Sequence, residues 1–254
     1  MSSSITEPDR PLATPADPDP TGERALLLAF LGDLRGRAVL DIGCGDPALT
    51  GHALRSGVLS YTGVAPDEGT ADGVRPLLDP GIGHLRVRDL NAWSGRDDST
   101  RVDVVVSRRA LHRVRNLPRL LAAVQHDLVP GGRLVFSVPH PLVTAAVGGG
   151  HGRGWLRTAD YFREGERPVS DALPGGAPWH RTLETYLREL RLCGLRLDEF
   201  AEGLTGMDHT AGPTGPGDGP RWALFRAGGG CGWVPPARRG RAGRRLFRTS
   251  PRSI

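Results

Sequence analysis

The sequence predicts an α/β protein built on a doubly wound, mostly parallel sheet of seven strands. Short apolar runs alternate with segments whose apolar residues recur at helical spacing, and the first run ends in a glycine-rich turn. Successive runs are also far enough apart for the crossover that a parallel strand pair needs. Strand and helix alternation of this kind is typical of a doubly wound fold.

The elements can be assigned in chain order. The first predicted helix has an apolar face formed by Leu26, Leu27, Phe30, Leu31 and Leu34, and RAVLDI (37–42) follows it as the first strand. Further strands are predicted at LSYTGV (59–64), HLRVR (84–88), VDVVVS (102–107) and RLVFSV (133–138). An amphipathic helix with Leu117, Leu120, Leu121, Val124 and Leu128 is expected to end at Pro130-Gly131-Gly132. A helix over 181–193 and the strands LRLDEF and RWALFRA complete the pattern.

Composition indicates one globular domain. The chain has 254 residues, of which 38% are hydrophobic, and it lacks the repeat and cysteine density of fibrous or disulfide-rich proteins. Residues 1–20 and the Arg-rich tail (228–254) are expected to be disordered, which leaves a domain over 21–227. The sequence shows neither a membrane-spanning run nor a signal peptide at MSSSITEPDRP, so we expect a cytoplasmic protein without a membrane partner.

After the fifth predicted strand the alternation stops for about 40 residues, and we interpret 140–180 as a substrate-side insert or lid. Its aromatic residues either border an apolar substrate pocket or form a small core of their own; they are Trp155, Tyr161, Phe162 and Trp179. Three scattered cysteines, Cys44, Cys193 and Cys231, have neither disulfide nor zinc-ligand spacing. We therefore expect no metal site.

The strongest local signal is Val39-Leu40-Asp41-Ile42-Gly43-Cys44-Gly45-Asp46, an apolar strand that ends in a Gly-x-Gly turn. Glycines at the carboxyl edge of a parallel sheet let the backbone approach a bound ligand closely. The carboxylate of Asp41 would repel a pyrophosphate but suits an ammonium group. Asp46 followed by Pro47 also has a structural interpretation as the N-cap and first residue of a helix.

These motifs resemble the class I S-adenosylmethionine-dependent methyltransferases, specifically the small-molecule, type 11/12-like group. The resemblance covers roughly 24–200 and rests on VLDIGCG, VDVVVSRRALHRV and LVPGGRLVFSVPHP in order. It implies S-adenosyl-L-methionine as the cofactor. It also implies that Gly43, Cys44 and Gly45 shape the cofactor turn and that Asp41 positions the methionyl end. By the same resemblance, the adenine lies beside Asp89 and Leu90, and Ser107 closes the pocket under the methionine.

Two positions depart from the family pattern. Pro47 replaces the usual third glycine, and Ala65 replaces the acid at the end of the second strand that normally binds both ribose hydroxyls. The loss of one charge-assisted hydrogen-bonding group costs about 1.5–3 kcal/mol, so weaker cofactor binding follows rather than none. Asp67 either replaces the missing acid or caps the next helix, and capping is the favoured interpretation.

The candidates for the acceptor side are His140, His180 and Tyr161. His140 follows the fifth strand and either faces the methyl acceptor or holds the Pro139-His140-Pro141 bend. His180 and Arg181 precede a helix and could hold the insert across the active site. Arg181 could instead pair with a carboxylate of the substrate. An ion pair within the protein is the simpler interpretation. His112 is equally compatible with packing and with catalysis.

The leading functional hypothesis is methyl transfer to an O, N or C nucleophile of a small molecule, in bacterial specialised metabolism, by a protein that can form a homodimer. A second hypothesis is a degenerate methyltransferase-fold protein with weak or no cofactor binding. A nucleic-acid-modifying enzyme is disfavoured because the net positive charge belongs to the tail, while residues 1–226 carry 26 Arg against 28 acids. A nicotinamide-dependent oxidoreductase is also disfavoured because the turn lacks Gly-x-Gly-x-x-Gly.

Overall fold

The computed structural model describes residues 22–95, 101–146, 158–168, 177–203 and 220–229. The strands are β1 (Ala38–Ile42), β2 (Ser60–Ala65), β3 (Gly83–Val87), β4 (Val102–Arg108), β5 (Leu128–Pro139), β6 (Gly165–Glu166), β7 (Trp179–His180), β8 (Leu195–Gly203) and β9 (Trp222–Gly229). The helices are α1 (Glu23–Leu31), α2 (Pro47–Arg55), α3 (Glu68–Asp72), α4 (Leu117–Asp127), α5 (Pro141–Ala146), α6 (Thr158–Tyr161) and α7 (Leu183–Leu192), with short 3-10 turns at Arg75–Leu77 and Leu111–Arg113.

Seven strands form one sheet in the order β3-β2-β1-β4-β5-β9-β8. Strands β1 to β5 run parallel to one another, whereas β9 is antiparallel to both β5 and β8. The chain reverses its direction of travel across the sheet between β3 and β4, which lie on opposite sides of β1. In doubly wound folds such a switch point opens a crevice at the carboxyl ends of the strands. The predicted doubly wound, seven-stranded fold is confirmed.

Helices cover both faces of the sheet. Alternate residues of a strand face opposite sides, and apolar residues on both sides need a covering layer. On β1, Val39 packs in the cluster that holds Leu27 and Leu31 of α1. Its neighbour Leu40 packs in the opposite cluster, with Leu120 and other residues of α4. Strands β1, β2 and β4 are buried on both faces over most of their length, which explains why they appear in the sequence as apolar runs, whereas β8 is largely exposed.

Several predicted boundaries were wrong. Helix α1 ends at Leu31, so Leu34 lies beyond the helix whose face was predicted to include it. Helix α4 ends at Asp127, and Leu128 begins β5 instead of extending the helix to Pro130. Leu128 pairs with Val102 of β4, so its burial in the sheet replaces its predicted position on the helix face. Strand β9 continues to Gly229, where Gly228 and Gly229 pair with neighbouring strands although the tail was predicted to begin at 228. The predicted helix over 181–193 is shorter and begins at Leu183, after the N-cap Thr182.

The segment predicted as an insert contains α5, α6 and a two-stranded ribbon of β6 and β7 in its described parts. Trp155 lies outside the described residues, as do the predicted disordered segment 1–20 and 230–254. Across the described ranges, we find no helix whose length and apolar character would let it cross a membrane.

Candidate functional site

A cleft of about 300 Å³ lies at the carboxyl ends of the parallel strands, next to the switch point. Seven of the predicted cofactor residues border this cleft: Asp41, Gly43, Cys44, Gly45, Asp67, Asp89 and Leu90. Asp41 lies near the end of β1, and the others come from the turns that follow β1, β2 and β3; these strands are distant in the sequence but adjacent in the sheet. The fold therefore brings together residues that the sequence motifs identified separately.

The turn after β1 is held close to the neighbouring strand. The backbone N–H groups of Gly43 and Cys44 both donate to the carbonyl of Val64, at 2.8 and 3.1 Å. Gly43 has φ +81°, and a Cβ placed on it would lie 2.2 Å from Cβ of Ala110. Glycine is therefore required at this position both by the backbone conformation and by the close approach of the turn after β4.

A buried polar chain lies beneath this turn. The hydroxyl of Tyr61 donates to Oδ2 of Asp41 at 2.8 Å, and it lies 2.9 Å from the hydroxyl of Thr50. Asp41 is only 1% exposed, and burial raises the pKa of its carboxyl from 3.8 to about 7, although the hydrogen bond from Tyr61 opposes this rise. Near neutral pH the Asp41 carboxylate is therefore poised to ionise fully when a positive ligand group approaches it.

Replacing Tyr61 with Phe should raise the pKa of Asp41 further, because the substitution removes the hydrogen bond that stabilises the carboxylate. The expected result is a shift of the Asp41 titration to higher pH by about one unit, measured from the carboxyl carbon chemical shift of labelled Asp residues. Thr50→Val provides a control, since it removes a hydroxyl from the same chain without removing the donor to Asp41. An unchanged titration in Tyr61→Phe would contradict this assignment.

The end of β2 departs from the family pattern in the structure as well as in the sequence. Ala65 is fully buried in a small cluster with Cys44 and Val74. Oδ1 of Asp67 accepts a hydrogen bond from the backbone N–H of Thr70 at 2.8 Å, so Asp67 caps α3 as favoured. Asp67 also borders the cleft, and hydrogen bonds from the backbone and side chain of Thr70 lower the pKa of its carboxyl.

At the end of β3, Asp89 organises the turn through its side chain. Its Oδ1 accepts hydrogen bonds from the backbone and side-chain amide groups of Asn91, at 2.9 and 3.3 Å. Leu90 is 6% exposed and presents an apolar surface to the cleft. Ser107 does not border the cleft. Its hydroxyl donates to the carbonyl of Ile42 at 2.7 Å, which ties β4 to β1 directly before the glycine turn.

Sequence reasoning missed an ionic network at the end of β4. Arg108 contacts Asp46 at 2.8 Å and Glu23 at 3.6 Å, and Arg109 forms an ion pair with the same buried Glu23. Arg24 also contacts Asp46, at 3.1 Å. Because Glu23 and Arg24 begin α1, this network fastens α1 over the cleft side of β4. In the sequence, the only signal for this network was the pair Arg108-Arg109 at the end of a predicted strand. In the structure, Arg109 has a φ of +49°, which is uncommon for residues other than glycine.

None of the three predicted catalytic residues borders the cleft. His140 is 3% exposed; its Nε2 donates to Glu202, and its Nδ1 accepts from the backbone N–H of Leu142 at 3.1 Å. Burial lowers the pKa of His140, although Glu202 partly opposes this change, so the neutral ring is favoured. Both ring nitrogens of this neutral ring have hydrogen-bond partners within the protein. This arrangement matches the alternative in which His140 holds the bend after β5.

The other two predicted catalytic residues contact each other. His180 is fully buried, and its Nε2 donates to the carbonyl of Tyr161 at 2.7 Å. Its Nδ1 then accepts from the hydroxyl of Thr144 at 2.6 Å. The hydroxyl of Tyr161 accepts from the backbone N–H of Leu183 at 3.2 Å. These contacts join α5, α6 and α7, and the ring of Tyr161 packs edge-on against His180. Phe162 is 69% exposed, so the interpretation that these aromatic residues form a small core of their own does not hold for Phe162.

Arg181 differs from its predicted role as an ion-pair partner. Its guanidinium donates to the carbonyls of Val114 and Arg115, the latter at 2.9 Å, while the residue is 4% exposed. Burial lowers the pKa of Arg181, and the Tyr186 hydroxyl to which it is hydrogen-bonded opposes this change. The side chain thus connects the ribbon strand β7 to the segment that follows β4.

Comparison with known proteins identifies the family. Residues 21–197 match the family described as "Methyltransferase domain". An S-adenosylmethionine-dependent methyltransferase from Mesorhizobium loti is 27% identical, with a TM-score of 0.71 over 82% of this chain and 97% of that one. A candidate S-adenosylmethionine-dependent methyltransferase from Listeria monocytogenes is 23% identical, with a TM-score of 0.69 over 82% and 96% of the two chains. An uncharacterized protein of Haemophilus influenzae is 24% identical over 71% of this chain and 75% of its own length.

The family match covers more than half of the chain, and the sheet order and cleft agree with the fold implied by the sequence motifs. The prediction of S-adenosylmethionine as the cofactor is confirmed at the level of the family. The chain belongs to the methyltransferase-domain family, with the class I fold.

Proposed function

We propose that the chain binds S-adenosylmethionine in this cleft and methylates an O, N or C nucleophile of a small molecule, in bacterial specialised metabolism. The observation that carries the proposal is the buried Asp41 carboxylate beside the glycine turn of a cleft of about 300 Å³. This volume lies at the lower end of the roughly 300–1,000 Å³ typical of ligand pockets. The ammonium group of the cofactor would supply the positive charge that favours ionised Asp41.

Each remaining cofactor residue has a proposed role that suits its environment. Gly43, Cys44 and Gly45 keep the turn narrow enough for close backbone approach, and Asp89 with Leu90 forms the adenine side of the cleft. Asp67 borders the cleft where it caps α3 and would bind a ribose hydroxyl there, in place of the acid that Ala65 lacks. Ser107 acts indirectly, since its hydrogen bond to Ile42 holds the turn in position.

The bound cofactor supplies an activated methyl group, so the protein has to provide mainly orientation and protection from water. Asp41 would fix the amino-acid end, and the turn after β4 would position the acceptor beside it. His140, His180 and Tyr161 were predicted to act in catalysis; their contacts with other protein groups favour support of the acceptor region instead. We propose this supporting role for them.

A small-molecule acceptor is supported by what other proteins of this fold do. Related structures include a 1,6-didemethyltoxoflavin N1-methyltransferase from Burkholderia thailandensis, 20% identical, and a geranyl diphosphate C-methyltransferase from Streptomyces coelicolor, 18% identical. The described body of the chain also pairs its arginines with acids around the cleft, which does not favour a nucleic-acid substrate.

A second candidate is a non-methylating protein on the same fold. Ala65 and Pro47 depart from the family pattern, and Ala65 is fully buried by apolar neighbours. A protein of this fold, 14% identical with a TM-score of 0.55, is a [4+2]-cyclase. Cofactor binding alone does not exclude this candidate, so the test needs a turnover measurement as well.

Calorimetric titration with S-adenosylmethionine and S-adenosylhomocysteine tests the proposal, together with the Ala65→Asp variant. We expect micromolar binding to the natural chain and about tenfold tighter binding to Ala65→Asp, because an acid at this position gains ribose hydroxyls as partners. Ala65→Asn is the uncharged control and should gain less. Absence of binding in all three proteins would contradict the proposal, and binding without S-adenosylhomocysteine formation across an acceptor screen would favour the second candidate.

A further inference from the structure

Arg109, directly after β4, adopts a backbone conformation that is uncommon for any residue except glycine. Its φ of +49° is the one positive value among the non-glycine residues that the structure describes. Backbone strain of this kind persists only where surrounding contacts enforce it, and it is concentrated at binding and catalytic sites. Because Arg109 also borders the cleft, the strain lies at the proposed cofactor site.

Two residues hold Arg109 in this conformation. Its backbone N–H donates to the carbonyl of Ser137 at 3.0 Å and lies 3.3 Å from the hydroxyl of the same residue. Its guanidinium forms an ion pair with one carboxyl oxygen of Glu23, whose side chain is fully buried. The hydroxyl of Ser137 donates to the other oxygen of Glu23 at 2.5 Å. The backbone and the side chain of Arg109 are thus fixed together, by the end of β5 and the start of α1.

The ion pair with Glu23 leaves most of the guanidinium available to a ligand. A guanidinium carries five N–H donors, and Arg109 contacts Glu23 through one terminal nitrogen. Across the described ranges, its side chain forms no other ion pair or hydrogen bond. It is 43% exposed, whereas the side chains of Arg24 and Arg108 in the same network are 13% and 15% exposed. Arg109 is therefore the arginine of this network that is best placed to meet a ligand in the cleft.

The cleft combines this arginine with an acid from the neighbouring strand. Asp41 pairs with Val106 in the sheet, and from this pair the two chains lead to the turn at Gly43 and to Arg109. These two turns are in close contact, since a Cβ on Gly43 would lie 2.2 Å from Cβ of Ala110. An acid and an arginine beside adjacent turns suit a ligand that carries an ammonium group and a carboxylate on one carbon atom. The amino-acid end of S-adenosylmethionine has this form.

We propose that Arg109 binds the carboxylate at the amino-acid end of S-adenosylmethionine, and that buried Glu23 is the positioning residue that holds its guanidinium there. This inference rests on the proposed function, in which Asp41 meets the ammonium group and no residue is assigned to the carboxylate. The planar guanidinium offers parallel N–H donors that match the two carboxylate oxygens. The cleft then recognises the amino-acid end by two charges of opposite sign.

Calorimetric titration of the full-length protein with two ligands is the first measurement. The ligands are S-adenosylhomocysteine and its decarboxylated counterpart, which keeps the ammonium group and loses only the carboxylate. We expect S-adenosylhomocysteine to bind at least tenfold more tightly, because the carboxylate forms charge-assisted hydrogen bonds. Equal binding of the two ligands would overturn this inference alone. Failure of both ligands to bind would overturn the proposed function, and this inference with it.

Variants of Arg109 then assign the preference to this side chain. Arg109→Leu should weaken S-adenosylhomocysteine binding roughly tenfold to a hundredfold and leave the decarboxylated ligand unaffected, so that the two bind alike. Arg109→Lys keeps the charge without the paired donors and should recover part of the loss. Arg119→Leu, at an exposed arginine on α4 that does not border the cleft, is the matched control. If Arg109→Leu weakens both ligands equally, or neither, then Arg109 does not bind the carboxylate.

Glu23→Gln tests the positioning role. The substitution keeps an oxygen for the hydroxyl of Ser137 but removes the charge that holds Arg109. We expect the ratio of the two ligand affinities to fall about threefold to tenfold, a change that loss of fold stability alone would not produce. An unchanged ratio would overturn the positioning role of Glu23. If Glu23→Gln does not fold, the Arg109 variants still decide whether the carboxylate is bound there.

Discussion

Replacing Asp41 with Asn should weaken S-adenosylmethionine binding roughly tenfold to a hundredfold at pH 8, and much less at pH 6. The substitution retains the size of the side chain but removes the charge that the proposed function pairs with the cofactor ammonium group. At pH 8 the natural Asp41 is mostly ionised, because burial raises its pKa only to about 7. At pH 6 the natural carboxyl is itself mostly protonated, so the natural chain and the variant should resemble each other.

Calorimetry at several pH values measures this effect. Affinity of the natural chain should rise with pH through about 7 and then level off, and binding near pH 7 should be accompanied by proton release that depends on the buffer. The Asn variant should show neither behaviour. A constant ratio of affinities between pH 6 and pH 8 would mean that the charge of Asp41 is not what the cofactor recognises.

The raised pKa of Asp41 also makes the stability of the ligand-free protein depend on pH. Asp41 has a higher pKa in the folded protein than in the unfolded chain, so its protonated form stabilises the fold relative to its ionised form. This contribution is fully present below about pH 4 and is lost progressively as pH rises towards and through 7. The buried carboxylate is thus a stability cost at neutral pH, which a cationic ligand at the site would offset.

The fold could be predicted from sequence because its determinants are local. Runs such as VDVVVS are apolar enough to be buried on both faces, and Asp46-Pro47 is a strong helix-start signal that the structure confirms. The errors occurred where two elements compete for the same residue. Leu128 fits the helical spacing of α4, but its pairing with Val102 places it in β5, and spacing alone does not reveal a partner 26 residues away.

The grouping of Asp41, the glycine turn and Asp89 around one cleft was predictable from the sequence, whereas the surroundings of the three predicted catalytic residues were not. Asp41 is near the end of β1, and Gly43 and Asp89 follow the ends of β1 and β3, so the topology of the sheet brings them together without further information. His140 and His180 were chosen for their chemistry, whereas the structure pairs their ring nitrogens with groups that lie up to 62 residues away. No sequence motif indicated the role of buried Glu23, because its partners Arg108 and Arg109 are distant in the sequence and the fold brings them close to it.

Replacing Gly43 with Ala should both destabilise the protein and abolish tight cofactor binding. A side chain at φ +81° costs about 1–2 kcal/mol in backbone strain. The new Cβ would also lie 2.2 Å from Cβ of Ala110, far inside van der Waals contact, so the turn after β1 or the turn after β4 must move. Overpacking of this kind typically adds about 1–3 kcal/mol. Both turns border the cleft, so we expect cofactor affinity to fall at least tenfold along with the free energy of unfolding.

Gly131→Ala separates the two causes. Gly131 has φ +78°, nearly the same as Gly43, but a Cβ there would meet no atom within 4 Å. Gly131→Ala should therefore lower the free energy of unfolding only by the cost of backbone strain and leave cofactor affinity unchanged. Denaturant titration measures the unfolding, and calorimetry measures the binding. If Gly43→Ala is destabilised no more than Gly131→Ala and binds the cofactor normally, then the close approach of the turns after β1 and β4 is not what shapes the cleft. If it is destabilised further and loses binding, the glycine in this turn acts through its contact with Ala110 and not through its backbone freedom alone.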